Sequence, residues 1–97
     1  MHMTIRRYTV APAQADEVIR RVDDDWLERV HKLPGFVSYH VVRPAPDRLV
    51  SVTAYLDADA AHRGAEASAE WVGERLGDLD VKFEDMAEGE VVVHGGA

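Results

Sequence analysis

The chain of 97 residues contains no cysteine. Without thiols it cannot form disulfide bonds, use a cysteine nucleophile or bind a metal through cysteine. Its longest apolar runs fall far short of the roughly 20 residues that a membrane-spanning helix requires, and the amino terminus shows no signal-peptide pattern. These absences predict a cytoplasmic protein.

Positive charge is scarce, with 11 Lys and Arg against 18 Asp and Glu and a net charge of −7. An acidic surface repels phosphate backbones and anionic headgroups, so we expect neither nucleic acid nor a membrane as a partner. No two histidines share a helix at metal-ligand spacing, and we predict no metal site. Met1 to Met3 resembles a cloning remnant, and we therefore assign no function to His2.

Periodicity and turn residues predict six elements in the order β-α-β-β-α-β. They are a strand at 3–10, a helix at 13–33, strands at 36–43 and 48–56, a helix from Asp57 or Asp59 to about Leu76, and a short strand at 90–94. Residues 77–88 are acidic without a clear period and are predicted to form a loop, and 95–97 a loose tail. The order predicts one ferredoxin-like α+β domain with an antiparallel sheet over residues 1–97.

The hairpin at 36–56 is the most informative segment. If Arg43 faces Arg48, one face is almost wholly apolar and the other is mixed. The mixed face carries Phe36, Ser38, His40, Val42, Leu49, Ser51, Thr53 and Tyr55. It lacks Asp, Glu and Lys, which a solvated face would carry, and we interpret it as the wall of a cavity.

The strands are apolar on both faces, yet two helices can cover only one face of the sheet. The second face then needs another cover. We therefore predict a homodimer in which the uncovered faces of two subunits meet.

Several segments also carry a resemblance to a known family. They are the helix end Leu33-Pro34-Gly35-Phe36, the strand Val37 to Arg43, the return strand Leu49-Val50-Ser51-Val52, and the alanine-rich helix after Asp57-Ala58-Asp59. In these, and over nearly its whole length, the chain resembles the dimeric α+β barrel superfamily and its antibiotic-biosynthesis-monooxygenase-like domains. The resemblance implies a pocket between sheet and helices, with activities from cofactor-independent oxygenation of anthrones and quinols to lactone isomerisation and haem degradation.

Haem-degrading members carry an asparagine on the first strand and a tryptophan followed by a histidine on the second helix. This chain has no asparagine, and His62 precedes Trp71. The departure argues against haem degradation, and we expect no cofactor.

His40 is the candidate catalytic base, because an imidazole titrates near neutral pH and can take a proton from a phenol or an activated C–H. The alternative is a hydrogen-bonded structural histidine. The hydroxyls of Ser38, Ser51, Thr53 and Tyr55 are candidate ligand-orienting groups, unless they satisfy one another.

Two tryptophans and one arginine complete the candidate site. Trp26 and Trp71 are candidates for flat walls around an aromatic ligand. Core packing is the favoured interpretation for Trp26, and a dimer contact explains Trp71 equally well. Arg6 and Arg7 point to opposite faces of a strand, so only one reaches the pocket. We name Arg7 as the candidate for an acidic or enolate substrate and leave Arg6 open. Asp23, Asp24 and Asp25 do not converge on a helix, and we interpret them as a solvated face.

The resulting hypothesis is a cofactor-independent monooxygenase-like protein acting on a small planar phenolic or quinol-type aromatic molecule. A non-catalytic small-molecule-binding or stress-associated dimer is the first alternative. An isomerase or cyclase that uses the same pocket is the second.

Overall fold

The computed structural model describes residues 1–96 and shows a ferredoxin-like α+β fold with a four-stranded antiparallel sheet. Its elements are β1 (His2–Val10), α1 (Ala15–Arg21), a π-helical turn (Val22–Trp26), α2 (Leu27–His31), β2 (Phe36–Ala45), β3 (Arg48–Tyr55), α3 (Ala58–Arg75) and β4 (Val81–Glu90). The sheet order is β2-β3-β1-β4. The predicted fold class and element order are confirmed.

The first helical segment runs over α1, the π-helical turn and α2 and corresponds to the helix predicted at 13–33. The π-helical turn was not predicted. Val18, Val22, Trp26 and Val30 lie four residues apart, and in a pure α-helix each step of four drifts by roughly 40° around the axis. The wider π turn offsets this drift, so these side chains continue to face the sheet.

The turn into β2 requires glycine at position 35. Gly35 has a φ of 80°, a region that other residues rarely adopt. A Cβ on Gly35 would also lie 2.7 Å from the Cβ of Ala60. The Pro34-Gly35 pair therefore ends the helix and lets β2 begin close against α3.

Helix α3 begins as predicted, with Asp57 as its N-cap. The Asp57 carboxylate accepts a hydrogen bond of 2.8 Å from the backbone N–H of Ala60. Gly64 is buried on the sheet side of this helix and lies directly against the phenol ring of Tyr55. The absent side chain lets α3 approach the end of β3.

The predicted register of the hairpin is wrong by one residue. Tyr39 faces Thr53 and Val41 faces Ser51, with irregularities on either side, and the connection is the short turn at Pro46-Asp47. Because side chains alternate, a shift of one residue exchanges the faces of β2 relative to β3. The predicted mixed face therefore does not exist as one surface.

The carboxyl-terminal part also differs from the prediction. Residues 81–90 form β4, where we expected an acidic loop, and residues 91–96 lie outside any strand. β4 is an edge strand, paired only with β1, and its side chains are almost all exposed. Such a strand needs no apolar alternation, which explains why its sequence resembled a loop. Of the predicted tail, Ala97 lies outside the described residues.

The core lies between the helices and one face of the sheet, which we call the covered face. Its buried side chains are Val10, Ala15, Val18, Trp26, Val30, Leu49, Trp71 and Leu76. The opposite surface, which we call the open face, carries Ile5, His40, Val42, Val50 and Val52, with Val42 52% exposed. Among residues 1–96, no helix has the length and apolar character needed to cross a bilayer.

Candidate functional site

A small cavity lies between the covered face and the helices. It has a volume of about 40 Å³ and is lined by four aromatic rings, Tyr8, Trp26, Tyr39 and Trp71, and two hydroxyls, Ser51 and Ser68, among mostly aliphatic side chains. A second space of about 10 Å³ shares several of these walls and adds Thr4, Arg6, Thr53, Tyr55 and Gly64. We call the two spaces together the covered cavity. Its walls are flat and apolar, with polar groups at one end.

Strand β1 decides which arginine reaches this cavity. Thr4, Arg6 and Tyr8 alternate with residues of the open face, so Arg6 lines the covered cavity. Arg7 points the other way, where its Nη1 lies 2.8 Å from Asp85 Oδ1, and both side chains are at least half exposed. The structure therefore answers the question that the sequence left open in favour of Arg6, and Arg7 lies outside the cavity.

Two aromatic side chains hold the Arg6 guanidinium in place. Its Nε donates a hydrogen bond of 2.8 Å to Tyr8 Oη, and its Cζ lies 4.6 Å from the centroid of the Phe83 ring. Within residues 1–96, Arg6 makes no ion pair with a carboxylate. The covered cavity thus has a positively charged group at its polar end without a protein counter-ion.

Tyr39 and Tyr55, which line the covered cavity, remain neutral phenols. Burial raises the pKa of Tyr39 far above its ordinary value, and the Arg6 charge opposes this only in part. Burial likewise raises the pKa of Tyr55. Both side chains can therefore donate a hydrogen bond to a ligand but cannot serve as an anionic base near neutral pH.

Thr4 supplies a further polar group. Its side chain is 3% exposed, and its Oγ1 finds no hydrogen-bond partner within the part of the chain that the structure describes. A buried hydroxyl without a partner is uncommon in folded proteins, because leaving it unsatisfied costs free energy. The position of Thr4 in the lining makes it available to a ligand or a water molecule.

The Trp26–Trp71 pair separates the covered cavity from the surface. The two ring centroids lie 5.7 Å apart, and the Trp71 indole N–H donates a hydrogen bond of 2.7 Å to Asp25 Oδ2. Both rings also line an outer groove of about 320 Å³ together with Arg29, Lys32, Leu33, Ala67, Glu70 and Glu74. The tryptophans are therefore core residues and cavity walls at once.

Asp25 differs from the solvated aspartates beside it. Its carboxylate accepts from Trp71 and also bonds to Arg29 at 3.1 Å. The hydrogen bond from Trp71, aided by Arg29, lowers the pKa of Asp25 below its ordinary value. The interpretation of this run as a purely solvated face is wrong for Asp25.

A family model for antibiotic biosynthesis monooxygenases matches residues 1–74. The chain belongs to this family. Its fold is that of the dimeric α+β barrel superfamily, as the resemblance implied. A search of curated protein sequences finds no match.

Solved structures of similar fold cover almost the whole chain. HapK from Hahella chejuensis is 23% identical, with a TM-score of 0.77 and coverage of 100% of this chain and 98% of HapK. The haem degrader MhuD from Mycobacterium tuberculosis, solved with two haems in its active site, is 24% identical, with a TM-score of 0.78 and coverage of 99% and 100%. SnoaB from Streptomyces nogalater, a cofactor-independent oxygenase, is 21% identical, with a TM-score of 0.67 and coverage of 96% and 94%. At these identities the likeness establishes the fold.

The covered cavity does not fit haem. None of its lining residues is a histidine, so the described part of the chain offers no imidazole ligand to a haem iron there. This agrees with the departure from the haem-degrading pattern in the sequence.

The structure brings together five of the predicted site residues: Trp26, Ser51, Thr53, Tyr55 and Trp71. Ser38 and His40 lie on the open face, where His40 faces Val52 across the strands and is exposed. Sequence reasoning did not select Thr4, Tyr8, Tyr39 and Ser68, and it left Arg6 open. The alternation of β1 places Thr4, Arg6 and Tyr8 on one face, but nothing in the sequence identified that face as the one beneath the helices.

Proposed function

We propose that this chain is a cofactor-independent monooxygenase-like protein that acts, as a homodimer, on a small planar phenolic or quinol-type compound. The observation that carries the proposal is the Arg6 guanidinium, which has no carboxylate partner and lies at the polar end of an aromatic cavity. A planar aromatic anion matches the cavity, because its rings can stack against the aromatic walls while its negatively charged oxygen binds Arg6.

Arg6 supports the chemistry by stabilising the anionic form of the substrate. An opposite charge within hydrogen-bonding distance lowers the pKa of a bound phenol. The lining of the covered cavity contains neither a carboxylate nor an imidazole, so the phenol proton is lost to water. His40, the predicted base, lies on the other face of the sheet and does not reach a ligand in the cavity of its own subunit.

The electron-rich anion is the reductant for O₂, so no metal or flavin is required. For an activated methylene, the balanced reaction is R₂CH₂ + O₂ → R₂C=O + H₂O. One oxygen atom replaces the two hydrogens on carbon, and the other leaves with those hydrogens as water. The carbon loses four electrons, of which each oxygen atom accepts two. The protein binds the substrate, favours its anion and excludes bulk water.

Substrate entry requires the covered cavity to enlarge. Its volume of about 40 Å³ accommodates only a few water molecules. The outer groove of about 320 Å³ lies across the Trp26–Trp71 pair. We expect the two rings to separate when a ligand binds, which joins the two spaces and alters tryptophan fluorescence.

The apolar residues of the open face support the proposed homodimer. Val42, on the edge strand β2, is 52% exposed and pairs with Val50 of β3, which also carries Val52. Contiguous exposed apolar surface marks an interaction site. A fold neighbour described as a dimeric ferredoxin-like protein from an uncultured marine organism has a TM-score of 0.77 and 15% identity.

Oxygen consumption with a panel of quinols and anthrones tests the activity. We expect Arg6→Gln to lower substrate-dependent uptake by about tenfold or more, because a charge-assisted hydrogen bond contributes about 1.5–3 kcal/mol. Arg7→Gln, the neighbouring arginine on the other face, is the matched control, with light scattering to check that the oligomer is unchanged. No uptake with any compound contradicts the oxygenase proposal, and equal loss in both variants contradicts the role of Arg6.

His40→Ala in the same assay tests the base predicted from the sequence. We expect uptake to survive, because His40 is outside the covered cavity. Loss of uptake in a variant that keeps the wild-type oligomeric state and stability would restore His40 as the base.

A ligand-binding dimer without chemistry is the second candidate. It is favoured by the lack of a carboxylate or imidazole in the cavity lining. Tryptophan quenching by a phenolic ligand, without turnover and lost in Arg6→Gln, would support this candidate over the oxygenase.

A further inference from the structure

A second group of functional side chains lies outside the covered cavity. His2 of β1, His62 of α3 and Glu88 of β4 each place one nitrogen or oxygen atom within 4.8 Å of the others. His62 Nε2 lies 2.8 Å from Glu88 Oε1, and His2 Nε2 lies 3.9 Å from the same oxygen. The two imidazole rings meet edge to face with centroids 6.1 Å apart. Three elements thus converge on one point.

His2 is the member of this cluster that ordinary hydrogen bonding leaves unexplained. The bond between His62 and Glu88 accounts for those two side chains, but the buried Nε2 of His2 has no hydrogen-bond partner among residues 1–96. The His2 side chain is only 15% exposed. A buried nitrogen without a partner indicates a missing bonded species, either a water molecule or an ion.

The backbone fixes His2 in this position. It lies within β1, where it faces Tyr55 on one side and Glu90 on the other, and the carbonyl of Met1 accepts a hydrogen bond of 2.8 Å from Val91. The strand therefore holds the imidazole although it is near the start of the chain.

Although the sequence led us to predict no metal site and no function for His2, we propose that His2, His62 and Glu88 form a binding site for one divalent transition-metal ion, with zinc as the representative. Two imidazole nitrogens and one carboxylate oxygen are ligands that zinc and its first-row neighbours accept. Mg²⁺ and Ca²⁺ require mostly oxygen ligands, and this cluster supplies only one carboxylate.

The spacing suits a tetrahedral ion. Zinc bonds of about 2.0–2.2 Å place neighbouring ligand atoms roughly 3.3–3.5 Å apart. The separations of 2.8 Å and 3.9 Å from Glu88 Oε1 lie on either side of this value, and all three ligand atoms lie within 4.8 Å of one another. His62 is 56% exposed and Glu88 31%, so water can occupy the fourth position.

The site would join parts of the molecule that otherwise share few contacts. Glu88 belongs to the exposed edge strand β4, and His62 to α3 above the sheet. A metal held by both and by His2 would tie β4 to the helix layer. Binding to the folded chain alone would stabilise it, by a shift that grows with metal concentration.

Zinc titration of the chain without an affinity tag tests the proposal. At pH 7.5 we expect one zinc per chain by calorimetry and a thermal midpoint that rises with zinc and does not respond to Mg²⁺. We expect the zinc affinity to fall by at least about tenfold in each of the variants His2→Gln, His62→Gln and Glu88→Gln. Even the mutation of residues that only hydrogen-bond to metal ligands lowers metal affinity about 10–100-fold. His31→Gln is the matched control, because His31 is an exposed helix histidine whose Nδ1 bonds to the Leu27 carbonyl.

Two results would contradict the proposed zinc site. Absence of stoichiometric zinc binding would mean that water satisfies His2, and the proposal would be wrong. Affinity unchanged in His2→Gln and His62→Gln would locate the metal elsewhere. Circular dichroism identifies any variant that fails to fold, in which case the other two ligand variants decide the question.

Discussion

The two faces of the sheet are built from alternate residues of the same strands, yet they differ in chemistry. The covered face carries aromatic rings, hydroxyls and the Arg6 guanidinium around a small cavity. The open face carries aliphatic side chains such as Val42, with Arg7 paired to Asp85. Under the proposed function, the covered face binds the ligand and the open face meets a second subunit. The predictions below test that division.

The largest effect is expected on the covered face. Trp26→Ala should lower the free energy of unfolding by about 3–5 kcal/mol, because it removes a side chain that is only 4% exposed and leaves a void. Urea denaturation measures the change.

Val42→Ala provides the contrast on the open face. At concentrations low enough for the protein to be monomeric, we expect the free energy of unfolding to change by no more than about 0.5 kcal/mol, because the Val42 side chain is 52% exposed. A larger cost that appears only at concentrations where the dimer forms would show that Val42 is buried between subunits. Equal costs for the two variants at every concentration would contradict the division between the faces.

Introducing a charge tests the open face as an interface. Val52→Asp should weaken the dimer by at least roughly 100-fold, because an unpaired buried carboxylate costs several kcal/mol. Light scattering over a concentration series measures the dissociation. Ala69→Asp, which adds the same charge to an exposed position of α3, should leave the dimer intact. A monomeric wild type would refute the dimer itself.

Replacing either of two glycines of α3 by alanine should change the stability of the fold in opposite directions. Gly64→Ala should destabilise the fold by about 1–3 kcal/mol, because the new methyl group would overlap the Tyr55 ring. Gly73→Ala should stabilise it by about 0.5–1 kcal/mol, since a Cβ there meets nothing within 4 Å and alanine favours the helix. Thermal denaturation of both variants would show whether the covered face is as closely packed beside Tyr55 as the geometry indicates.

The smallest effect concerns pH and the Asp25–Trp71 bond. The folded-state pKa of Asp25 is lowered, first by the Trp71 hydrogen bond and then by Arg29. Its stabilising contribution is therefore present above the unfolded pKa of about 3.9 and is lost as pH falls through the lower folded value. Asp25→Asn should flatten the loss of stability below about pH 4.

Trp71→Phe, which removes the N–H donor, should produce part of the same flattening. The double variant should show less than the sum of the two single effects, because they share one bond. Strict additivity in acid denaturation would contradict the coupling.

Local features of the fold were readable from the sequence because they depend on nearby residues. The helix start at Asp57, one of two predicted starts, the Pro34-Gly35 helix end and the opposite orientation of Arg6 and Arg7 all appear in the structure. The edge strand β4 was not recognised because an edge strand with exposed side chains carries no apolar signature.

Two of the eight predicted site residues, Ser38 and His40, lie outside the covered cavity for one physical reason. The hairpin register depends on irregularities at its ends, between Phe36 and Ser38 and between Val42 and Ala45. Each irregularity displaces the pairing, and nothing in the local sequence marks it. His40 and Ser38 therefore lie across the sheet from Ser51, with which we had grouped them.

By itself, the sequence determined the order of the elements, the opposite orientation of Arg6 and Arg7 on β1 and the family, because these follow from side-chain alternation and residue type along the chain. Only the tertiary structure decided that Arg6 rather than Arg7 meets the aromatic cavity, and that His2, His62 and Glu88 converge. Those relations join residues up to 86 positions apart and depend on strand register and on which sheet face the helices cover. Such relations arise from long-range packing, which a local pattern does not record.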